Sequence, residues 1–129
     1  MTGAVLDASA LLALLLGEPG GERVKLALDD AMMSTVNLAE VVSHYAKLGA
    51  DRRDIEAMLR PLPIRLEPID VELSYLAGML RPITLPRGLS LGDRYCLALA
   101  KREKRSALTA ERQWSDIAQA AGVDVVAIR

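Results

Sequence analysis

Residues 4–16 read AVLDASALLALLL, a short apolar run closed by Asp7 and followed at once by a longer apolar segment that stops before Gly17. The first run predicts a buried strand over Ala4–Asp7, and the second predicts a helix over Ser9–Leu16. A strand that passes directly into a helix is the repeating unit of parallel α/β sheets. This stretch therefore decides the fold class.

The same alternation of strand and helix continues along the chain. Further strands are predicted over Met32–Thr35, Ile64–Ile69, Ala107–Thr109 and Val123–Ile128. Helices are predicted over Gly20–Asp30, Asn37–Leu48, Arg52–Arg60, Val71–Leu80, Ser90–Lys104 and Ser115–Ala121, with a loop over Arg81–Leu89. Pro68 interrupts the strand Ile64–Ile69, which is therefore short or at a sheet edge. We predict one domain over residues 1–129, a three-layer α/β/α fold with a mainly parallel central sheet.

Composition narrows the class of protein further. The chain has 129 residues, is 51% hydrophobic, and carries a formal net charge of −1, which gives no general affinity for nucleic acid. Its three Tyr and one Trp are scattered and form no base-stacking platform. The N-terminal apolar stretch follows no positive segment and is interrupted by Asp7, so we expect it to be a poor signal peptide, and it is far shorter than the ~20 residues of a membrane span. We expect a soluble cytoplasmic protein with no membrane partner.

Four acidic residues stand where strands end or helices begin: Asp7, Glu40, Asp93 and Glu111. Because ligands bind at the carboxyl ends of strands in such sheets, we expect these side chains to form one cluster. Close carboxylates repel, so the cluster must take up protons or cations, and oxygen ligands suit Mg²⁺ or Mn²⁺. The sequence predicts a metal-dependent enzyme that acts on phosphate esters.

Each acid also has a purely structural interpretation. Asp7 is a suitable helix N-cap, and the pairs Asn37-x-x-Glu40 and Ser90-x-x-Asp93 have nearly the form of capping boxes. The two interpretations are compatible, because the positive end of a helix helps to hold a carboxylate near other carboxylates.

Five segments of the chain follow one another as residues 5–13 (VLDASALLA), 17–20 (GEPG), 34–41 (STVNLAEV), 89–95 (LSLGDRY) and 108–114 (LTAERQW). Together they resemble the motifs of PIN-domain ribonucleases, in particular the VapC-type toxins of bacterial toxin–antitoxin pairs. The resemblance implies an endoribonuclease that uses Mg²⁺ or Mn²⁺ and is held inactive by a cognate antitoxin. It also implies a homodimer.

The acids of this family fall on the residues already singled out. Its first three acids match Asp7, Glu40 and Asp93, while its fourth, usually Asp, matches Glu111. The extra methylene of Glu111 moves its carboxylate outward, and Asp116, shortly beyond, is the alternative fourth acid.

The resemblance also suggests how the site residues divide their roles. Asp7 and Asp93 are the expected direct ligands of the metal, and Glu40 and Glu111 are expected to complete the site or to orient waters. Hydrogen-bond partners of these ligands are expected at Ser9, Asn37 and Thr109.

Cations must guide a polyanionic substrate towards an acidic pocket. Four arginines near the acids are candidate contacts for RNA phosphates, namely Arg81, Arg87, Arg94 and Arg112. The single histidine, His44, is expected to be a partly exposed surface residue.

Other functions remain open at this point. The fold also suits a non-catalytic domain that binds a partner or nucleic acid, and metal chemistry at phosphorus suits a DNase equally well. The apolar residues of Val24–Leu28 and Ile55–Leu59 belong either to a partner surface or to the core of the domain. No residue identifies the RNA target.

Overall fold

The computed structural model describes residues 3–129, which form an alternating α/β fold. Its strands are β1 (Val5–Leu6), β2 (Met32–Ser34), β3 (Arg65–Glu67), β4 (Ala107–Thr109) and β5 (Val125–Ala127). Its α-helices are α1 (Ala8–Leu16), α2 (Gly21–Leu26), α3 (Thr35–Lys47), α4 (Arg52–Leu59), α5 (Val71–Met79), α6 (Arg81–Thr84), α7 (Leu91–Glu103) and α8 (Ala118–Ala121). Short 3₁₀ turns cover Leu85–Arg87 and Arg112–Asp116.

The strands form one parallel sheet in the order β3-β2-β1-β4-β5. β1 lies at the centre, with Val5 in register with Met32 on one side and with Ala107 on the other. β3 lies at an edge, as the proline after it predicted.

Side chains of consecutive strand residues enter different layers of the core. Val5 packs in a cluster with residues of α5 and α7, whereas Leu6 packs in a second cluster with residues of α1, α2 and α3. This alternation is the normal consequence of β geometry. Helices therefore cover both faces of the sheet, and the predicted three-layer α/β/α fold is confirmed.

The structure corrects three predicted elements. The loop predicted over Arg81–Leu89 contains α6 and a 3₁₀ turn, and the prolines that suggested a loop occupy first-turn positions where no N–H is needed. The helix predicted over Ser115–Ala121 is a 3₁₀ turn followed by the short α8. The helix predicted over Gly20–Asp30 ends at Leu26, because the chain must turn to bring β2 beside β1.

The helices of the domain are short or only partly apolar. Within residues 3–129, none of them offers an apolar stretch of the length required to cross a bilayer.

Candidate active site

The four acids predicted to converge lie around one cavity of about 370 Å³. Asp7 directly follows β1, Glu40 lies in α3 after β2, Asp93 lies in the first turn of α7, and Glu111 follows β4. The wall is completed by Ala8, Ser9, Leu12, Ser43, His44 and Lys47. The parallel sheet thus brings carboxylates that are distant in sequence to one edge.

Asp7 is the most buried of the four, with 2% of its surface exposed. Its side chain caps α1 by accepting from the Ala10 amide at 2.8 Å, as the sequence predicted. It also accepts from the Ser9 hydroxyl at 2.8 Å and from the Thr109 hydroxyl at 2.7 Å. Ser9 Oγ in turn accepts from the Ala110 amide at 2.9 Å, so this network ties the end of β1 to the end of β4.

Burial governs the protonation of Asp7. Removal from water raises the pKa of Asp7 to about 6, although the hydrogen bonds from Thr109, Ala10 and Ser9 favour the charged form. The nearby Asp93 carboxylate raises this pKa further. The site therefore holds a carboxylate that titrates close to neutral pH.

Glu40 is positioned by Asn37 and by the beginning of α7. Asn37 Nδ2 donates to Glu40 Oε1 at 2.7 Å and to the carbonyl oxygen of Gly92 at 3.1 Å. A Cβ atom at Gly92 would lie 2.6 Å from Glu40 Cδ, so the carboxyl group occupies space that only glycine leaves free. Burial and the Asp93 charge raise the pKa of Glu40, against the hydrogen bond from Asn37.

The N-cap of α3 differs from the predicted one. Ser34 caps the helix by accepting from the Asn37 amide at 3.2 Å, and its hydroxyl donates to Asn37 Oδ1 at 2.9 Å. Asn37 is thus the third helical residue rather than the cap. This position lets its side chain hold Glu40 one turn further on.

Asp93 forms the predicted capping box with Ser90. The Ser90 amide donates to Asp93 Oδ2 at 2.9 Å, and the Asp93 amide donates to Ser90 Oγ at 3.2 Å. Burial raises the pKa of Asp93, the bonds from Ser90 oppose this, and the Glu111 charge adds to it. Capping and facing the acidic cavity therefore coexist in one residue.

The fourth acid is exposed, and its backbone is fixed by Thr109. The Glu111 amide donates to Thr109 Oγ1 at 3.0 Å, and the hydroxyl of Thr109 donates to Asp7. Asp116 does not line the cavity and instead pairs with Arg87 at 3.3 Å. Of the two alternatives for the fourth acid, the structure brings only Glu111 to the cluster.

None of the four predicted phosphate-binding arginines lines the cavity. Arg94 is only 8% exposed and its guanidinium donates to the Ala77 carbonyl at 3.4 Å, so its assignment as a phosphate contact is corrected. Arg87 pairs with Asp116, Arg112 donates to the carbonyl of Arg129, and Arg81 is exposed on α6. Adjacency in sequence to an acid did not bring these side chains to the cavity.

Two basic residues of α3 lie in the cavity wall instead. His44 is half-buried and Lys47 is exposed, four and seven residues after Glu40. The expectation that His44 is partly exposed is confirmed, whereas Lys47 was not among the residues singled out from the sequence. The i+7 spacing from Glu40, which places Lys47 on the same helix face, was the signal that would have found it.

A metal-binding group is not preformed in the described part of the chain. Within residues 3–129, no three His, Cys, Asp or Glu side chains lie close enough together to hold an ion unaided. The acids still have the oxygen chemistry that Mg²⁺ and Mn²⁺ prefer. The same acids affect Cys96, which is fully buried. Burial, together with the charges of Asp7, Asp93 and Glu40, raises the pKa of the Cys96 thiol well above its usual range.

A second cavity, of about 640 Å³, lies against another face of α3. We call it the apolar groove, and its nonpolar wall consists of Leu38, Val42, Ala46, Ala50, Ile55, Leu59, Leu62, Ile64 and Leu66. Ile55 is itself buried, and Val24 on α2 is fully buried in the core. Of the two segments considered as partner surfaces, Ile55–Leu59 therefore contributes to both the core and an open groove.

A third feature is an exposed apolar stripe on α5. We call it the α5 stripe, and it consists of Val71, Tyr75 and Met79, which are 74%, 70% and 74% exposed. Their four-residue spacing places them on one face of the helix.

The chain matches one protein-family model and resembles several solved structures. A sequence model described as PIN domain matches residues 4–120. A toxin–antitoxin complex from Klebsiella pneumoniae shares 19% identity over 98% of both chains, with a TM-score of 0.73. A DNA-bound VapBC from Salmonella typhimurium shares 16% identity over 100% of both chains, with a TM-score of 0.75.

A third similar structure carries a more specific description. It is the Mycobacterium tuberculosis toxin VapC20, described as cleaving the sarcin–ricin loop, with 18% identity, 88% of this chain and 93% of that chain covered, and a TM-score of 0.69. No curated protein sequence matches the chain. At these identities the likeness to solved structures is one of fold.

Proposed function

The chain belongs to the PIN domain family, and on that premise we propose that it is a metal-dependent endoribonuclease, the toxin of a toxin–antitoxin pair. The PIN-domain resemblance carried by the sequence motifs is confirmed by the family match. The observation that carries the proposal is the convergence of Asp7, Glu40, Asp93 and Glu111 on one cavity. The similar toxin described as cleaving the sarcin–ricin loop supports RNA as the proposed substrate.

The residues fit a hard divalent cation in chemistry rather than in a closed cage. Asp7 and Asp93 would bind Mg²⁺ or Mn²⁺ directly, and Glu40 and Glu111 would contact the ion through water. Water-mediated contacts are needed because no three of these side chains lie close enough to hold an ion together, and Mg²⁺ normally keeps several waters. When bound, the cation supplies a Lewis acid that lowers the pKa of a coordinated water and offsets charge on the phosphate. A cation also favours the charged form of carboxylates whose pKa values are raised.

The chain's own residues orient the carboxylates before substrate arrives. Thr109 donates to Oδ2 of Asp7 and the Ala10 amide donates to Oδ1, so both oxygens of this buried group are fixed. Asn37 holds Glu40, and the backbone of Ser90 holds Asp93. Partners of this kind keep ligands in a fixed geometry and increase both metal affinity and activity.

The antitoxin is proposed to bind in the apolar groove. The similar structures are toxin–antitoxin complexes. The groove is lined mainly by nonpolar side chains, together with Arg52, Glu56 and Arg60, and such a wall suits an amphipathic partner helix. Because α3 contributes Val42 to the groove and Glu40 to the cavity, a bound protein would lie next to the acids.

A homodimer is proposed to form through the α5 stripe. Val71 and Met79 lie symmetrically about Tyr75 in sequence, so an antiparallel copy crossing at Tyr75 sets Val71 of each protomer against Met79 of the other. Such self-complementarity is what a two-fold interface requires. Sedimentation analysis of Tyr75→Glu beside the wild type tests this, and an unchanged dimer in the variant would exclude this surface.

The nuclease proposal is tested on the chain purified free of any partner. We expect cleavage of labelled RNA that requires Mg²⁺ or Mn²⁺, stops with chelator, and falls more than about 100-fold in Asp7→Asn and Asp93→Asn, beyond the 10–100-fold typical for losing a ligand's partner. Labelled DNA of the same sequence distinguishes a DNase. Metal-independent cleavage, or full activity in both variants, would refute the proposal.

A further inference from the structure

We propose that Lys47 binds a backbone phosphate of the nucleic acid that enters the acidic cavity, an inference that rests on the nuclease function proposed above. Lys47 lines the same cavity as the four acids, whereas Arg81, Arg87, Arg94 and Arg112 do not. A polyanion must approach four carboxylates, so a cation in the wall of that cavity has a specific use.

The position of Lys47 on α3 suits a phosphate beside the reacting one. It lies seven residues after Glu40, which is about 10 Å along the helix at 1.5 Å per residue, and on the same helix face. His44 lies between them on that face. The ammonium group therefore flanks the acids, where a neighbouring phosphate of the same strand would pass.

The charge of Lys47 is available for a substrate. Its side chain is exposed and forms no salt bridge within residues 3–129. By contrast, Arg87 pairs with Asp116, and Arg102 lies near Glu67. An unpaired ammonium acts as a mobile point charge, which is how lysine binds phosphate.

A purely structural role predicts a different outcome. Lys47 lies in the last turn of α3, where a positive charge is favourable for the helix. Lys25 has the same kind of position in the last turn of α2, is exposed, and does not line the acidic cavity. Lys25→Gln therefore removes the same charge from an equivalent helix position and is the matched control.

The test measures RNA binding separately from cleavage. The 129-residue chain carrying Asp7→Asn, to suppress cleavage, is titrated with labelled single-stranded RNA across a series of salt concentrations. We expect Lys47→Gln to reduce the slope of log K against log salt by about 0.7, which corresponds to about 5-fold weaker binding near 0.1 M salt. Lys47→Arg should restore most of the affinity, and Lys25→Gln should leave it unchanged.

Two results would overturn the inference: no RNA binding by the parent protein, or equal effects of Lys47→Gln and Lys25→Gln. Thermal unfolding of each variant shows whether a loss of binding is merely a loss of fold. In the Asp7-containing protein, Lys47→Gln should raise KM more than it lowers kcat. If Lys47→Gln weakens RNA binding but the wild type cleaves nothing, the phosphate contact stands and the nuclease proposal fails. If the wild type cleaves RNA and Lys47→Gln changes neither binding nor KM, only the phosphate contact fails.

Discussion

Helix α3 separates two cavities of opposite character. On one face, Glu40, His44 and Lys47 help to line the acidic cavity, where all four acids meet. On another face, Leu38, Val42 and Ala46 line the apolar groove. One amphipathic helix therefore contributes to a polar cavity on one face and to a nonpolar groove on another.

The two cavities differ in how their side chains are held. In the acidic cavity, Asp7, Glu40 and Asp93 are fixed by specific hydrogen bonds, and burial raises the pKa of each. In the groove, the nonpolar side chains are held by packing, and their exposed area can be covered only by another molecule. Burying the carboxylates of the acidic cavity therefore lowers the stability of the fold. The exposed nonpolar area of the groove instead provides favourable free energy when another molecule covers it.

The largest expected effect comes from placing a charge in the groove. Val42→Glu should weaken antitoxin binding by about 3–5 kcal/mol, the cost of an unpaired buried charge, which is at least about 10²-fold. RNA cleavage should persist, because Val42 does not line the acidic cavity. Co-purification and calorimetry with the antitoxin measure the loss. Tyr75→Glu on the α5 stripe is the control and should bind the antitoxin normally. Normal antitoxin binding by Val42→Glu would show that the antitoxin does not bind in the groove.

A second prediction concerns pH and stability at the cavity. The pKa of Asp7 is raised to about 6 in the folded chain, so protonation stabilises the fold. This stabilisation is complete below the unfolded pKa near 4 and is lost as pH rises through about 6, a change on the order of 3 kcal/mol.

Asn at position 7 does not titrate, so Asp7→Asn should gain stability relative to wild type as pH rises from about 4 to 7. Denaturant unfolding in chelator across this range measures the difference. Asp54→Asn, at an exposed position of α4, is the control. A difference that is constant with pH would contradict the burial of a titrating Asp7.

A third prediction uses the space that Glu40 occupies. Gly92→Ala should push the Glu40 carboxyl away from Asn37 and lower RNA cleavage by about 10–100-fold, the range typical for a misplaced ligand partner. Gly78→Ala, on α5, meets no atom within 4 Å and should leave cleavage unchanged while stabilising its helix by up to about 1 kcal/mol. Equal activity of the two variants would show that cleavage does not depend on the position of the Glu40 carboxyl group.

The smallest expected effect compares two helix caps. Ser90 caps α7 at the acidic cavity, and Asp51 caps α4 beside the groove. Ser90→Ala and Asp51→Ala should each cost about 1 kcal/mol of stability. Only Ser90→Ala should also reduce cleavage, since Asp93 loses part of its support. Equal losses of cleavage in Ser90→Ala and Asp51→Ala would show that activity falls only because the fold is less stable.

Much of the fold could be predicted because its signals are local. The apolar run of β1, the proline after β3 and the capping box Ser90–Asp93 are each readable within a few residues. The helix α6 was missed because its proline suggested a break, although a proline in the first turn of a helix loses no hydrogen bond.

The site was harder to predict where distant segments meet. The sequence identified the acids, but it made Arg94 a candidate phosphate contact because it adjoins Asp93, whereas α7 directs the Arg94 side chain towards α5. It overlooked Lys47, whose importance depends on which face of α3 turns towards the cavity. Glu40 packs against Gly92, which is 52 positions away in sequence, and no local sequence pattern predicts a contact between residues so far apart.

The sequence by itself determined the alternation of strands and helices, the capping of α1 by Asp7 and of α7 by Ser90, and the candidate acids, because each signal lies within a few residues of the chain. Only the tertiary structure decided that Glu111 and not Asp116 faces the cavity, that Arg94 is buried, and that α3 carries a cation on one face and a groove on another. The physical reason is that these properties depend on how the parallel sheet sets helices from separate parts of the chain side by side.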